Sequence, residues 1–149
     1  MSDTTASGAL TISTQYYYLF NDTEFDTHNG MSQGAATGTT PFTNGTTFTA
    51  PANGFYRVNA QVRFDVNSGN WTVNDILGIF INKEGSVYEQ STVYAGNTGT
   101  GNVSLAIDDI VQLNAGERLQ ISGVSYTSNK KTRNGGENKF VVERIGGIG

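Results

Sequence analysis

From Tyr56 to Val66 the chain alternates without a break. Tyr56, Val58, Ala60, Val62, Phe64 and Val66 are apolar or aromatic, and Arg57, Asn59, Gln61, Arg63 and Asp65 between them are polar. A period of two puts each set on one face of an extended strand, one face buried and the other wet. At roughly 3.3 Å per residue the run would reach about 36 Å, enough to cross a small domain. Pro51 and Gly54 mark a turn just before it. This strand is the predicted centre of a sheet, with Val58, Ala60, Val62 and Phe64 in the core.

The rest of the chain reads as further strands. From Leu10, the residues Ile12, Thr14, Tyr16, Tyr18 and Phe20 share one face, while Tyr17 and Leu19 make the second half apolar on both sides. Such a segment is either internal or pressed against another subunit. Residues 21–47 are irregular, with Phe25 and Phe42 as anchors, and Gly34 to Gly45 reads as a surface loop with a short edge strand. Ser68-Gly69-Asn70 is a turn. Ile76 to Ile81 is a continuous apolar run, predicted as a strand buried on both faces, and Asn82 to Gly85 closes it. Val87 to Tyr94 follows, then a loop from Asn97 to Asn102. Val103, Leu105 and Ile107 alternate, and Ile110, Val111 and Leu113 resume after Asp108-Asp109, which predicts a bulge at the two carboxylates. Asn114 to Glu117 is a hairpin turn, Leu119 to Tyr126 a strand, Ser128 to Asn138 a polar loop and Phe140 to Ile145 the last strand. No twelve-residue segment carries a helical period, so the expectation is an all-β sandwich.

The 149 residues suit one domain, large enough to bury a core without metal or disulfide support. There is no cysteine, which removes thiol nucleophiles, thiolate metal sites and disulfides. Charged residues make up 15% of the chain and the net charge is −4, so no basic face points to nucleic acid. No run approaches the roughly 20 apolar residues that span a bilayer, and no membrane partner is expected. The opening Met-Ser-Asp-Thr-Thr lacks the basic and apolar regions of a signal peptide, so synthesis in a cytoplasm is expected. Residues 1–9 read as a polar arm, 10–146 as the domain and 147–149 as a tail.

Several pieces resemble the C1q/tumour-necrosis-factor-like superfamily. Phe48, Gly54 and Tyr56 keep the Phe-x5-Gly-x-Tyr spacing of the C1q-like domain, although Val58 and Ala60 stand where that family prefers aromatics. Phe25-Asp26-Thr27 resembles its Phe-Asp segment. Val111-Gln112-Leu113-Asn114-Ala115-Gly116-Glu117-Arg118-Leu119 resembles its Leu-x-x-Gly-Glu turn between strands, and Asn138 to Val142 its closing strand. The resemblance implies a ten-stranded jelly roll that forms a homotrimer. In the family the first strand, the Gly-x-Tyr strand and the last strand contribute to subunit contacts. Carried over, this nominates Tyr16, Tyr18, Phe20, Tyr56 and Phe140 for the trimer interface. The polar face of Arg57, Asn59, Gln61 and Arg63 could lie partly against a neighbour, where the arginines would need partners.

No catalytic constellation is present, and no cofactor or metal is expected. His28, the only histidine, reads as an exposed loop residue. Asp108 and Asp109 point to opposite faces of a strand, which suits a structural role better than shared acid–base work. Asp22, Glu24 and Asp26 are the only cation candidates. Trp71 is either a lid on the core or a ligand contact; Lys130 and Arg133 in the polar loop are further ligand-contact candidates. A non-enzymatic structural protein of a virus particle follows as the expectation, a phage capsid decoration or a head or tail fibre, localised to the virion. Its partners would be a larger virion protein held through residues 1–9 and, in the alternative reading of a receptor- or carbohydrate-binding tip, a host receptor or glycan.

Overall fold

The computed structural model describes residues 14–20, 29–66, 75–94, 102–126, 130–132 and 138–147. Ten strands lie within them: β1 (Tyr16–Tyr17), β2 (Met31–Gln33), β3 (Thr46–Thr49), β4 (Gly54–Val66), β5 (Ile76–Lys83), β6 (Ser86–Tyr94), β7 (Asn102–Leu113), β8 (Arg118–Ser125), β9 (Lys130–Thr132) and β10 (Lys139–Gly147). They form two antiparallel sheets. A six-stranded sheet runs β2-β3-β8-β5-β6, with β1 also paired to β8; a four-stranded sheet runs β10-β4-β7, with β9 also paired to β4. The chain crosses between the sheets at β3–β4, β4–β5, β6–β7, β7–β8 and β8–β9, the connectivity of a jelly roll.

The alternating run is the longest strand and the axis of the smaller sheet. β4 pairs with β7 from Gly54↔Leu113 to Asp65↔Asn102. On its other side β10 covers residues 54–61 and β9 residues 64–66, end to end. Val58, Ala60, Val62 and Phe64 are buried in the core between the sheets with Leu77, Ile79 and Ile81 of β5, Leu105, Ile107, Val111 and Leu113 of β7, and Leu119 and Ile121 of β8. β5 is buried on both faces, as its unbroken apolar run predicts, but it extends to Lys83, and the turn is Glu84-Gly85, both at positive φ.

Three expectations are corrected. The register of β7 on β4 is continuous, so there is no bulge at Asp108-Asp109. Val103, Leu105, Ile107, Asp109, Val111 and Leu113 keep one phase, and it is Ile110 that falls on the outer side, 52% exposed. Asp109 is half-buried, and its Oδ1 accepts the Ile110 N–H at 2.8 Å. Second, the polar stretch after β8 contains β9, so Lys130 lies in a strand on β4 rather than at a loop tip. Third, residues 34–45 are the expected surface loop, but it holds isolated bridges in place of an edge strand and is tied down. Gly34 N–H and Ala35 N–H bond to Gly45 and Thr43 carbonyls. The buried Gln120 of β8 accepts the Phe42 N–H and donates to the Asn44 carbonyl.

Within residues 14–20 only Tyr16–Tyr17 is strand, paired to Gly123 and Ser122. Tyr18 and Phe20 enter the core, and Tyr17 is buried at 5% exposure. Of the two readings of this segment, internal is the one the fold shows. Thr46 Oγ1 holds it, accepting the Phe20 N–H and donating to the Phe20 carbonyl. Of the strand expected from Leu10, residues 10–13 lie outside the described residues.

Candidate functional site

Four of the five residues nominated for subunit contacts are spent on the chain's own core. Tyr18, Phe20, Tyr56 and Phe140 have between 0% and 1% of their surface left, so they have no area to offer a neighbour. Tyr16 is half-buried and packs against the same core. The physical reason is phase. Tyr56 and Phe140 occupy the inward positions of β4 and β10, where Phe20 packs on Phe140 at 5.7 Å and Phe48 on Tyr56 at 5.5 Å between ring centroids. Tyr56 also closes the turn before β4, its hydroxyl donating to the Ala52 carbonyl at 2.6 Å. The Phe48-x5-Gly54-x-Tyr56 spacing therefore serves a packed corner within one chain. At Gly54 a Cβ would stand 2.5 Å from the Gly146 carbonyl oxygen, which explains the glycine.

The opposite phase of the same strands forms an outward surface. Residues paired across a sheet share a face. Phe55 pairs with Gln112, Arg57 with Ile110 and Glu143, and Asn59 with Asp108 and Val141. On this face Phe55 is 40% exposed, Ile110 52%, Val141 48% and Ile145 48%. Ile145 is the extra residue of a bulge in β10 between Arg144 and Gly146, where the strand pairs again at Phe55. A shallow depression lies among Arg57, Asp108, Asp109, Ile110, Glu143 and Ile145.

Arg57 stands in the middle of these apolar residues and is paired. Its Nε donates to Asp108 Oδ1 at 3.1 Å and its Nη2 to Oδ2 at 2.6 Å, a two-point contact across β4 and β7. Glu143 faces it from β10 and acts through space. The hydrogen bonds and charge of Asp108 raise the Arg57 pKa, and the same hydrogen bonds hold the Asp108 carboxyl below its ordinary value. Both groups are open to water, so the pair is worth little to the isolated chain. The partner that Arg57 needed is thus within its own sheet.

A second charged cluster closes the end where β5 turns. Arg118 Nη2 pairs with Glu84 Oε2 at 2.8 Å, and its guanidinium lies 3.7 Å over the Phe42 ring. Lys83 pairs with Glu117 at 3.0 Å, and Glu117 Oε2 also accepts the Asn114 N–H. These contacts fasten the Glu84-Gly85 turn, the 114–117 turn and Phe42, and have the character of structure rather than of a site.

Among the described residues no group of three or more His, Cys, Asp or Glu is arranged to hold a metal ion. Asp22, Glu24, Phe25, Asp26, His28, Trp71 and Arg133 lie outside the described residues. Sequence reasoning missed Phe55, Ile110, Val141 and Ile145. The signal was available: each is apolar in the polar phase of a strand, Phe55 beside Arg57 and Val141 beside Glu143.

The two sheets make a sandwich with the jelly-roll fold of tumour-necrosis-factor-like domains. The solved structure of Eiger TNF from S. frugiperda is similar to this chain with a TM-score of 0.57, covering 91% of this chain and 93% of that one at 12% identity. At that identity the likeness is one of fold. No protein-family model matches the chain, and no curated protein matches its sequence.

Proposed function

We propose that the protein is a non-enzymatic interaction module that self-associates, as a homotrimer, through the outer face of its four-stranded sheet. The observation that carries this reading is the group of Phe55, Ile110, Val141 and Ile145 exposed around one ion pair on a single sheet face. Apolar side chains gathered on one face, beyond those scattered over any surface, mark a contact site. The fold class adds weight, since the superfamily that the sequence resembles assembles as trimers. Light scattering on the purified chain at micromolar concentration is expected to give three times the 15.9 kDa chain mass. A monomer there would sink the reading.

The finer part of the proposal is a structural role in a virus particle, as a phage capsid decoration or a head or tail fibre. Its support is compositional: 15% charged residues, no cysteine, and an abundance of Gly, Thr and Asn. Mass spectrometry of purified particles tests it, and absence of the protein from them would remove this role while leaving the self-association reading intact.

A further inference from the structure

The self-association face combines two kinds of group with different consequences. Apolar contact has no direction. Phe55, Ile110, Val141 and Ile145 alone would let two copies meet in several registers, and head-to-tail contacts that fail to close run on as open chains of subunits. At the centre of those residues stand Arg57, Asp108 and Glu143, on three adjacent strands. When the face is covered these charges lose their water. That loss is tolerable only in registers that leave each charge with a partner. The face also carries both signs, with Arg57, Arg63 and Lys139 on the same outward phase as Asp108 and Glu143. A second copy of the chain is therefore a complementary occupant, whereas a strongly acidic or strongly basic partner would meet like charge.

We propose that the Arg57–Asp108 pair, with Glu143 facing it, fixes the register of self-association and selects one closed assembly of copies. The inference rests on the self-association reading above. The pair acts as a specificity element: it adds little attraction and excludes the arrangements that would strand a charge. The charge sets the register and the arrangement of the donor adds tightness, because Arg57 reaches both Asp108 oxygens at once through Nε and Nη2.

The test compares wild type, R57L/D108L and R57K by light scattering and native mass spectrometry over a concentration series, after thermal unfolding has shown that each is folded. Wild type is expected to give one assembly. R57L/D108L is expected to associate at the same or lower concentration, but as a mixture of sizes. R57K keeps the charge and loses the two-point contact; it is expected to give one assembly with a dissociation midpoint raised roughly tenfold. A uniform assembly from R57L/D108L overturns the inference, as does a mixture from R57K. Should R57L/D108L fail to fold, R57L decides: it strands both carboxylates, and an assembly as uniform and as tight as wild type overturns the inference. A monomeric wild type overturns the self-association reading and this inference with it, so the two failures are told apart.

Discussion

Gly123 shows how tightly single positions are set in this core. It lies on β8, and a Cβ there would overlap the Tyr18 hydroxyl and stand 2.8 Å from two of its ring carbons. The ring is buried and packs edge-on against Phe64 at 6.3 Å, so it has little room to withdraw. G123A is expected to destabilise the fold by about 1–3 kcal/mol, the usual cost of overpacking, read as a lower denaturant midpoint with an unchanged slope. The charged residues make a second prediction at this scale. Glu84, held by its side-chain hydrogen bonds to Arg118, and Glu117, held first by the Asn114 N–H and then by Lys83, have pKa values below the ordinary 4.5; Asp108, held by Arg57, lies below the ordinary 3.8. A carboxyl depressed in the folded state contributes stability above its ordinary pKa, and loses it as pH falls through the folded value. Tm should therefore be flat above pH 4.5 and decline below it, from Glu84 and Glu117 first. The decline should be shallower in E84Q/E117Q and in high salt, because all three groups are near water. An equally steep acid decline in the double variant would show that these pairs do not carry it.

At the scale of elements, β4 was legible because its period of two survives the eleven residues from Tyr56 to Val66 and reports burial directly. β5 was legible for a different reason, an apolar run without alternation that only a doubly covered strand can carry. The element that escaped was the tie between residues 34–45 and β8. It depends on Gln120, a polar residue in the polar phase of its strand, which any sequence reading assigns to water. In the fold it is buried because Phe42 and Asn44 arrive from far along the chain to complete both ends of its amide. Alternation records which side of a strand is apolar; it carries no information about a loop that returns to cover the other side. Q120A should leave the Phe42 N–H and the Asn44 carbonyl without their partner, at about 1–3 kcal/mol for such a loss. Amide exchange at Phe42 should accelerate well before exchange in β4 does. Equal acceleration at both sites would mean that the loop and the core open together and that Gln120 is no local clamp.

For the whole molecule, the same limit decided which half of the candidate site was visible. The resemblance directed attention to β4 and β10, and those strands do build the outward face, but the aromatic residues it nominated are in the inward phase. Tyr56 and Phe140 are required by a single chain's core, so their character says nothing about a neighbour. Phe55, Ile110, Val141 and Ile145 are not required by that core, since each keeps at least 40% of its surface. Their contribution must then fall on association and not on folding, and the two are separable. I110D and V141D place a charge on the exposed face, where substitutions usually change monomer stability by no more than about 0.5 kcal/mol. In an association that covers the face, each copy would bury one more carboxylate without a partner, beside Asp108 and Glu143. Either variant is expected to run as a monomer by light scattering at concentrations where wild type is assembled, with unfolding at high dilution unchanged from wild type. Q90D, a substitution at an exposed position of β6 in the other sheet, serves as the control and should remain assembled. If I110D and V141D assemble as wild type does, this face is not the contact surface. If both unfold at high dilution, the four side chains belong to the core's stability after all, and their exposure has been misread.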